Sequence, residues 1–135
     1  MAVHRFVNPP GVHAPRGYTH VVETTAPSRT IYIAGQIGVG ADGKIAGGPD
    51  DFRAQATQCF ENLKAALAAA GAGFEHVVKT TNYFIDIAHI PVFREVRDGY
   101  VDTKAPPAST AVQIGKLAMP GLLFEIEAIA VVPQK

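Results

Sequence analysis

The clearest structural signal in the chain is the stretch FEIEAIAVV at residues 124–132. Side chains alternate between the two faces of a strand. One face carries the apolar set Phe124, Ile126, Ala128 and Ala130, and it should pack against helices. The other face carries Glu125, Glu127, Ile129 and Val131. This mixed face fits either a solvated sheet surface or a subunit interface, and charge alone does not choose between them.

Patterns upstream of this stretch, separated by glycine and proline, predict five more strands and two helices. The expected strands are Val3–Val7, Tyr18–Thr25, Thr30–Ile37, Val77–Ile85, Ala108–Ile114 and the last strand, Leu122–Val132. We expect the second and third strands to form an antiparallel hairpin through a turn at Ala26–Arg29. The order βββαβαββ is too irregular for a doubly wound parallel fold. It predicts an α+β protein with two helices on one face of a sheet.

The two helices are predicted from periodicity and from their end signals. The first should begin near Asp50, whose carboxylate can cap it, and end before Gly71, which can adopt the left-handed conformation. Its apolar stripe recurs at steps of three and four residues: Phe52, Ala56, Cys59, Phe60, Leu63, Leu67 and Ala70. The second should run from about Pro91 to about Asp102. Gly99 lies within it at a cost of about 1 kcal/mol relative to alanine, so we expect a close contact there.

Composition limits the class of function. The 135 residues fit one domain, residues 1–135. Twelve Lys and Arg balance twelve Asp and Glu, so the zero net charge gives no electrostatic basis for binding nucleic acid or an anionic membrane. No apolar run is long enough to span a bilayer, and the first residues lack the apolar region of a signal peptide. Cys59 is the single cysteine, which is typical of the reducing cytosol, so we expect a cytoplasmic protein.

Three familiar motifs give negative results. Residues 38–43 read GVGADG and match G-x-G-x-x-G, but that nucleotide motif needs a helix at its third glycine. Here Asp42-Gly43 predicts a turn, and the helix begins only near Asp50. The five histidines lack the spacing of a metal site, so none is expected. Neither G-x-S-x-G nor S-x-x-K occurs, so the usual signals of a nucleophilic hydrolase are missing.

Six groups of residues, spread in order over nearly the whole chain, point to a family. They are Gly17-Tyr18, Ala34-Gly35-Gln36-Ile37, Ala54-Gln55-Ala56 with Asn62-Leu63, Val78-Lys79-Thr80-Thr81, Pro107-Ala108-Ser109-Thr110, and Glu125-Ile126-Glu127-Ala128-Ile129-Ala130. No one of them is decisive alone. In this order and at this spacing, the chain resembles the Rid family, the small trimeric proteins of the YjgF/UK114 type.

The resemblance implies a chorismate-mutase-like α+β fold with a mixed six-stranded sheet and two helices on one face. It also implies a homotrimer with three small-molecule sites in the clefts between subunits. Well-studied members of this family hydrolyse reactive enamines or imines left by pyridoxal-phosphate enzymes, without a cofactor. An imine carbon is already electrophilic, so positioning, an oriented water and a proton donor can suffice.

The resemblance also implies site residues at matching positions. Tyr18 matches the site tyrosine, Gly35 matches the glycine whose backbone approaches the ligand, and Glu125 matches the carboxylate associated with the water. We therefore expect Glu125 and Tyr18 to be catalytic, with Glu125 as the general acid and base. An apolar cleft between subunits should raise the pKa of Glu125 toward neutrality.

The chain departs from the deaminating subgroup at the position of the arginine that holds the substrate carboxylate. Ser109 stands there, and a hydroxyl cannot replace the charge. Arg97, in the second helix, stands where an asparagine is often found. We expect Arg97 to reach the cleft and hold the anion, against the alternative of a solvated arginine paired with nearby acids.

Other positions of the expected site also differ from the family. Ala111 stands where a cysteine is common, and Ala34 stands where a serine is common. Ser109, Thr110 and Ala111 are nonetheless expected to contact the substrate, together with Gly35.

Three functions remain in competition at this level. The first is hydrolysis of a small imine or enamine, with a specificity altered by Ser109. The second is a trimer that binds an anionic or imine-like ligand without catalysis. The third is RNA cleavage, which has been attributed to some family members and which the zero net charge disfavours. The expected partners are a small molecule and two further copies of the chain.

Overall fold

The computed structural model describes residues 4–25 and 28–134, and the α+β class is confirmed. The strands are β1 His4–Val7, β2 Val21–Thr24, β3 Ser28–Ile37, β4 Val77–Phe84, β5 Ala108–Gln113 and β6 Phe124–Pro133. The helices are α1 Phe52–Ala69 and α2 Ile90–Asp98. A single 3-10 turn precedes β4, and another precedes α2. Neither α-helix has the combination of length and apolar character that crossing a membrane requires.

The six described strands belong to two sheets. A mixed four-stranded sheet has the order β3-β6-β4-β5, in which β6 is antiparallel to both neighbours and β5 runs parallel to β4. β1 and β2 form a separate antiparallel pair. The expectation of one mixed six-stranded sheet is therefore corrected to a mixed sheet of four strands and a pair.

The predicted hairpin between the second and third strands is wrong. Its turn residues Ala26 and Pro27 lie outside the described residues, but Ser28 and Arg29 already belong to β3. β3 pairs instead with the C-terminal strand, from Ser28 opposite Pro133 onward. Both of these strands have ten residues and β2 has four, so this pairing forms more ladder hydrogen bonds than the local hairpin would.

The core lies between the four-stranded sheet and the two helices, and most of its predicted members are confirmed. Two differ: Ala70 is only half-buried, and Val131, predicted on the opposite face of β6, is buried at 4% exposure. The apolar face of β6 is buried, with each of its four residues at most 3% exposed: Phe124, Ile126, Ala128 and Ala130. It meets the stripe of α1, whose buried members include Cys59. Burial raises the pKa of the Cys59 thiol, so this cysteine stays protonated and packs as a small apolar side chain.

The helix ends differ from the prediction by one to four residues. The cap of α1 is Asp51, not Asp50: its Oδ1 accepts a hydrogen bond of 3.0 Å from the Ala54 amide. Gly71 has φ +72°, the left-handed conformation expected after this helix. The second helix ends at Asp98 rather than near Asp102, because Gly99 is its C-terminal cap and not an interior residue. A Cβ at Gly99 would lie 3.3 Å from the Val96 carbonyl oxygen, which is tight for an atom against the backbone.

The two adjacent aspartates give a matched test of the helix cap. Asp51→Ala should lower the free energy of unfolding by about 1 kcal/mol, because the Ala54 amide loses its acceptor. Asp50→Ala should change it by less than about 0.5 kcal/mol, as surface substitutions usually do. Urea unfolding followed by circular dichroism measures both. Equal losses in the two variants would contradict the assignment of Asp51 as the cap.

Candidate active site

A cavity beside the edge strand β5 brings together four of the seven predicted site residues: Tyr18, Arg97, Ser109 and Ala111. Its volume is about 200 Å³, and we call it the Tyr18 cavity. Arg16, Ile90, Phe93 and Arg94 complete its lining. The loop before β2, the helix α2 and the strand β5 thus each contribute to one concave surface.

Arg97 lies at the inner end of this cavity, with its side chain only 10% exposed. Its Nε donates to Asp98 Oδ1 at 2.9 Å, and its Cζ is 5.4 Å from the centroid of the Phe93 ring. The guanidinium packs against Gly17, where φ is +80° and a Cβ would overlap its terminal nitrogens. No hydrogen bond within residues 4–25 and 28–134 uses those two nitrogens. The arginine is therefore held in place with donors left to bind an anion.

Ser109 lines the cavity and is held by a small polar network. Its Oγ accepts hydrogen bonds from Thr80 Oγ1 at 3.1 Å and from Asn82 Nδ2 at 2.9 Å. Asn82 is fully buried and also donates to the Thr110 carbonyl at 3.0 Å. Since the Ser109 oxygen accepts twice, its own proton is left to donate to another acceptor. Sequence reasoning missed Asn82 as a site residue, although an asparagine on the helix-facing side of a strand was the signal.

Tyr18 has a polar partner that the sequence did not predict. Its hydroxyl lies 2.8 Å from His13 Nε2, and it donates to that nitrogen when the imidazole is neutral with Nδ1 protonated. His20 Nε2 is in turn 2.7 Å from the His13 carbonyl oxygen. The histidines were interpreted only as candidate metal ligands, so this role was overlooked. The contact joins the phenol to an exposed imidazole.

Glu125 lies elsewhere, on the sheet face opposite the helices, which we call the outer face. Burial, with a smaller contribution from the Glu127 carboxylate, raises the pKa of Glu125 above its usual value. Glu127 Oε1 accepts a hydrogen bond of 2.6 Å from the Tyr83 hydroxyl, and this bond raises the pKa of Tyr83. A Cβ at Gly35 would overlap the Glu125 carboxylate, so only glycine at this position leaves room for the carboxylate. Gly35 lies where the register of β3 against β6 shifts.

The outer face also holds Thr110, which therefore does not line the Tyr18 cavity. Its hydroxyl accepts a hydrogen bond of 2.8 Å from Lys79 Nζ, while its backbone carbonyl is the acceptor for Asn82. Thr110 alternates with Ser109 along β5, so their side chains point to opposite faces. The expectation that these neighbours contact one ligand together is not met within a single chain.

One subunit thus carries two separate groups of predicted site residues. Ser109 is bonded to Asn82 on the helix-facing side of the sheet, and Glu125 lies directly opposite Tyr83 on the other side. Asn82 and Tyr83 are consecutive in β4, so the two groups are divided by the sheet itself. Tyr18 and Glu125 therefore do not meet within one chain. Across the described residues, no three metal-ligating side chains lie close enough together to hold a metal ion.

Comparison with known proteins gives a consistent family. The family model described as endoribonuclease L-PSP matches residues 11–132. A Myxococcus xanthus protein named DfrA is 40% identical over 115 residues, which cover 84% of each chain. The 2-iminobutanoate/2-iminopropanoate deaminase of Rattus norvegicus is 39% identical over 104 residues, covering 76% of this chain and 73% of that one.

Solved structures agree with this result. The crystal structure of YyfB from Yersinia pestis, described as a protein of unknown function of the conserved Rid family, superposes with a TM-score of 0.83. The two sequences are 34% identical, and the match covers 96% of this chain and 98% of that one. The structure of RidA from an Antarctic Psychrobacter has a TM-score of 0.71 at 33% identity, over 89% of this chain and 92% of that one.

Proposed function

Because the chain belongs to the Rid family, described in its family model as endoribonuclease L-PSP, we propose that it hydrolyses small imines and enamines to keto acids and ammonia. The active site is shared by two copies of the chain. The proposal rests on one observation: a cavity with an anion-binding arginine and a carboxylate of raised pKa lie on opposite faces of one sheet. A relative of 39% identity bears the name of an imine deaminase.

The proposed chemistry needs groups from both faces. Arg97 and the Ser109 proton hold the carboxylate of a 2-imino acid in the Tyr18 cavity. Glu125 of a neighbouring copy accepts a proton from water as the oxygen bonds to the imine carbon, and it passes this proton to the imine nitrogen. The carbinolamine then gives its hydroxyl proton to Glu125, which delivers it to the nitrogen as the C–N bond breaks, leaving the keto acid and ammonia. A carboxyl of raised pKa suits both the giving and the taking of a proton near neutral pH.

A neighbouring copy also gives the outer face a partner. This face carries apolar and aromatic side chains among its carboxylates, and Tyr32 is 78% exposed there in the single chain. The surface around the Tyr18 cavity and the outer face are different patches, so their contact is head-to-tail, and such a contact forms a ring when its rotation closes. We propose a homotrimer, the ring size that the family resemblance implies, in the cytoplasm.

The wild-type protein should accelerate keto-acid release from a freshly generated imine. The assay generates 2-aminoacrylate from serine with a pyridoxal-phosphate dehydratase, adds the protein, and follows pyruvate by coupled lactate dehydrogenase. The expected result is release faster than the buffer-catalysed rate, in proportion to protein added. Heat-denatured protein is the control.

The alternative function, a binding trimer without catalysis, makes a different prediction for the same assay. Ser109 in place of the family's arginine is the observation that favours it. In that case pyruvate is released at the buffer rate, while keto acids still bind the protein in calorimetry. That outcome would contradict the proposed hydrolysis but would still support the Tyr18 cavity as a binding site.

A further inference from the structure

We propose that the Tyr18 cavity selects dicarboxylic 2-imino acids over monocarboxylic ones. Arg97 and Ser109 hold the carboxylate next to the imine, and Arg94 and Arg16 hold the second carboxylate. This inference rests on the proposed function, because that function supplies the imine group of the substrate. The dianion preference itself comes from charges around the cavity.

The lining of this cavity is strongly positive although the chain as a whole is neutral. Three arginines line it, namely Arg16, Arg94 and Arg97, and no acidic residue is among its lining residues. Asp98, which pairs with Arg97, is the one carboxylate that contacts any of the three within the described chain. Arg16 and Arg94 take part in no salt bridge within residues 4–25 and 28–134. Within one chain, a single carboxylate bound to Arg97 leaves both of these cations without a counter-charge.

The three arginines differ in solvent exposure, which increases from the inner end of the cavity to its rim. Arg97 is buried, Arg94 is half-buried, and Arg16 is exposed at the rim. Arg94 and Arg97 are three residues apart in α2, so they share one helix face. Like charges this close on one helix face repel each other when nothing lies between them. A ligand with two negative groups turns this repulsion into two favourable contacts.

The size of the cavity fits a small diacid. A volume of about 200 Å³ corresponds to roughly six or seven waters at their liquid volume of about 30 Å³ each. A short-chain dicarboxylic acid fits within this volume. Phe93 and Ile90 supply an apolar wall for the carbon chain between the two carboxylates.

The experiment compares two stable keto acids, which are the hydrolysis products of the two substrate classes. Isothermal titration calorimetry on the wild-type protein measures the binding of 2-oxoglutarate and of 2-oxobutanoate. We expect 2-oxoglutarate to bind at least about tenfold more tightly, since one extra charge-assisted hydrogen bond contributes roughly tenfold to a hundredfold. Arg94→Ala and Arg16→Ala should reduce this ratio, and the double variant should bring it close to one.

A matched control separates the cavity from general surface charge. Arg53 is an exposed arginine on α1, paired with Glu95 at 2.7 Å and away from the cavity. Arg53→Ala should leave the 2-oxoglutarate preference at the wild-type value. Circular dichroism and the urea midpoint of each variant show whether it is folded.

The possible outcomes distinguish this inference from the proposed function. Equal affinity for the two acids, a preference that survives the double variant, or no binding of either acid would overturn the diacid inference. The imine assay would still stand as the test of hydrolysis. Conversely, an Arg94-dependent preference for 2-oxoglutarate without hydrolysis of any imine would support the diacid site and overturn the proposed function.

Discussion

Glu125→Gln is expected to lower kcat/KM for imine hydrolysis by about 10² to 10⁴, the usual contribution of a positioned general acid or base. The amide keeps the shape of the carboxyl but cannot take a proton from water. The measurement is the rate of keto-acid release at saturating and limiting substrate. Glu95→Gln, which removes an exposed carboxylate paired with Arg53, is the matched control and should keep wild-type turnover. Full turnover by Glu125→Gln would exclude Glu125 as the proton carrier.

Loss of folding should not account for this effect. The pKa of Glu125 is raised in the folded chain, so the folded state binds this proton more tightly than the unfolded state does. Stability from this group is present at low pH and falls as pH rises through the folded pKa. At neutral pH the ionised carboxylate therefore destabilises the fold, and removing its charge relieves that cost. We expect Glu125→Gln to unfold at the same urea concentration as wild type, or a higher one.

Two inactive variants are expected to restore activity when they are mixed. Arg97→Ala damages the Tyr18 cavity, and Glu125→Gln damages the outer face, so each homotrimer has no intact site. In rings assembled from both chains, roughly a quarter of the contacts join an intact cavity to an intact outer face. The mixture, unfolded in urea and refolded together, should therefore recover about a quarter of wild-type turnover.

The same experiment can also contradict the shared site. If each site were built within one chain, co-refolding would give only the residual rates of the two parents. A protein that sediments as a single subunit would contradict the shared site in the same way. Refolding each variant alone is the control, because it shows how much activity the procedure itself recovers or loses.

Local sequence patterns predicted most helices and strands. They did not predict which strands pair, because that depends on residues far apart in the chain. Alternation predicted the buried face of β6 from Phe124 to Ala130, and the periodicity of α1 predicted its stripe. Val131, expected on the other face, is also buried. The partner of β3 was mispredicted because a short turn favours a hairpin locally, whereas the residues of β6 that pair with β3 lie 88 to 105 positions away. The cap of α1 was predicted one residue too early. Asp50 and Asp51 have the same propensity to cap a helix, and only the backbone geometry distinguishes them.

The candidate site divides in a similar way. The family resemblance pointed to Tyr18, Gly35 and Glu125, and it drew attention to Arg97 because Ser109 stands where the resemblance implies an arginine. The contacts of Asn82 with Ser109 were not predicted, since they depend on a parallel register that β4 and β5 reach only through the α2 crossover. The same is true of Tyr83 and Glu127, which come together across two strands.

Gly17 has a consequence for how this protein can change over evolutionary time. Its backbone is left-handed, and the space a side chain would take is filled by the guanidinium of Arg97. A residue larger than glycine at 17 becomes acceptable only after position 97 has shortened, and it would still carry backbone strain. The two sites are therefore epistatic: as long as α2 carries Arg97, the chain has little freedom at a loop position eighty residues earlier.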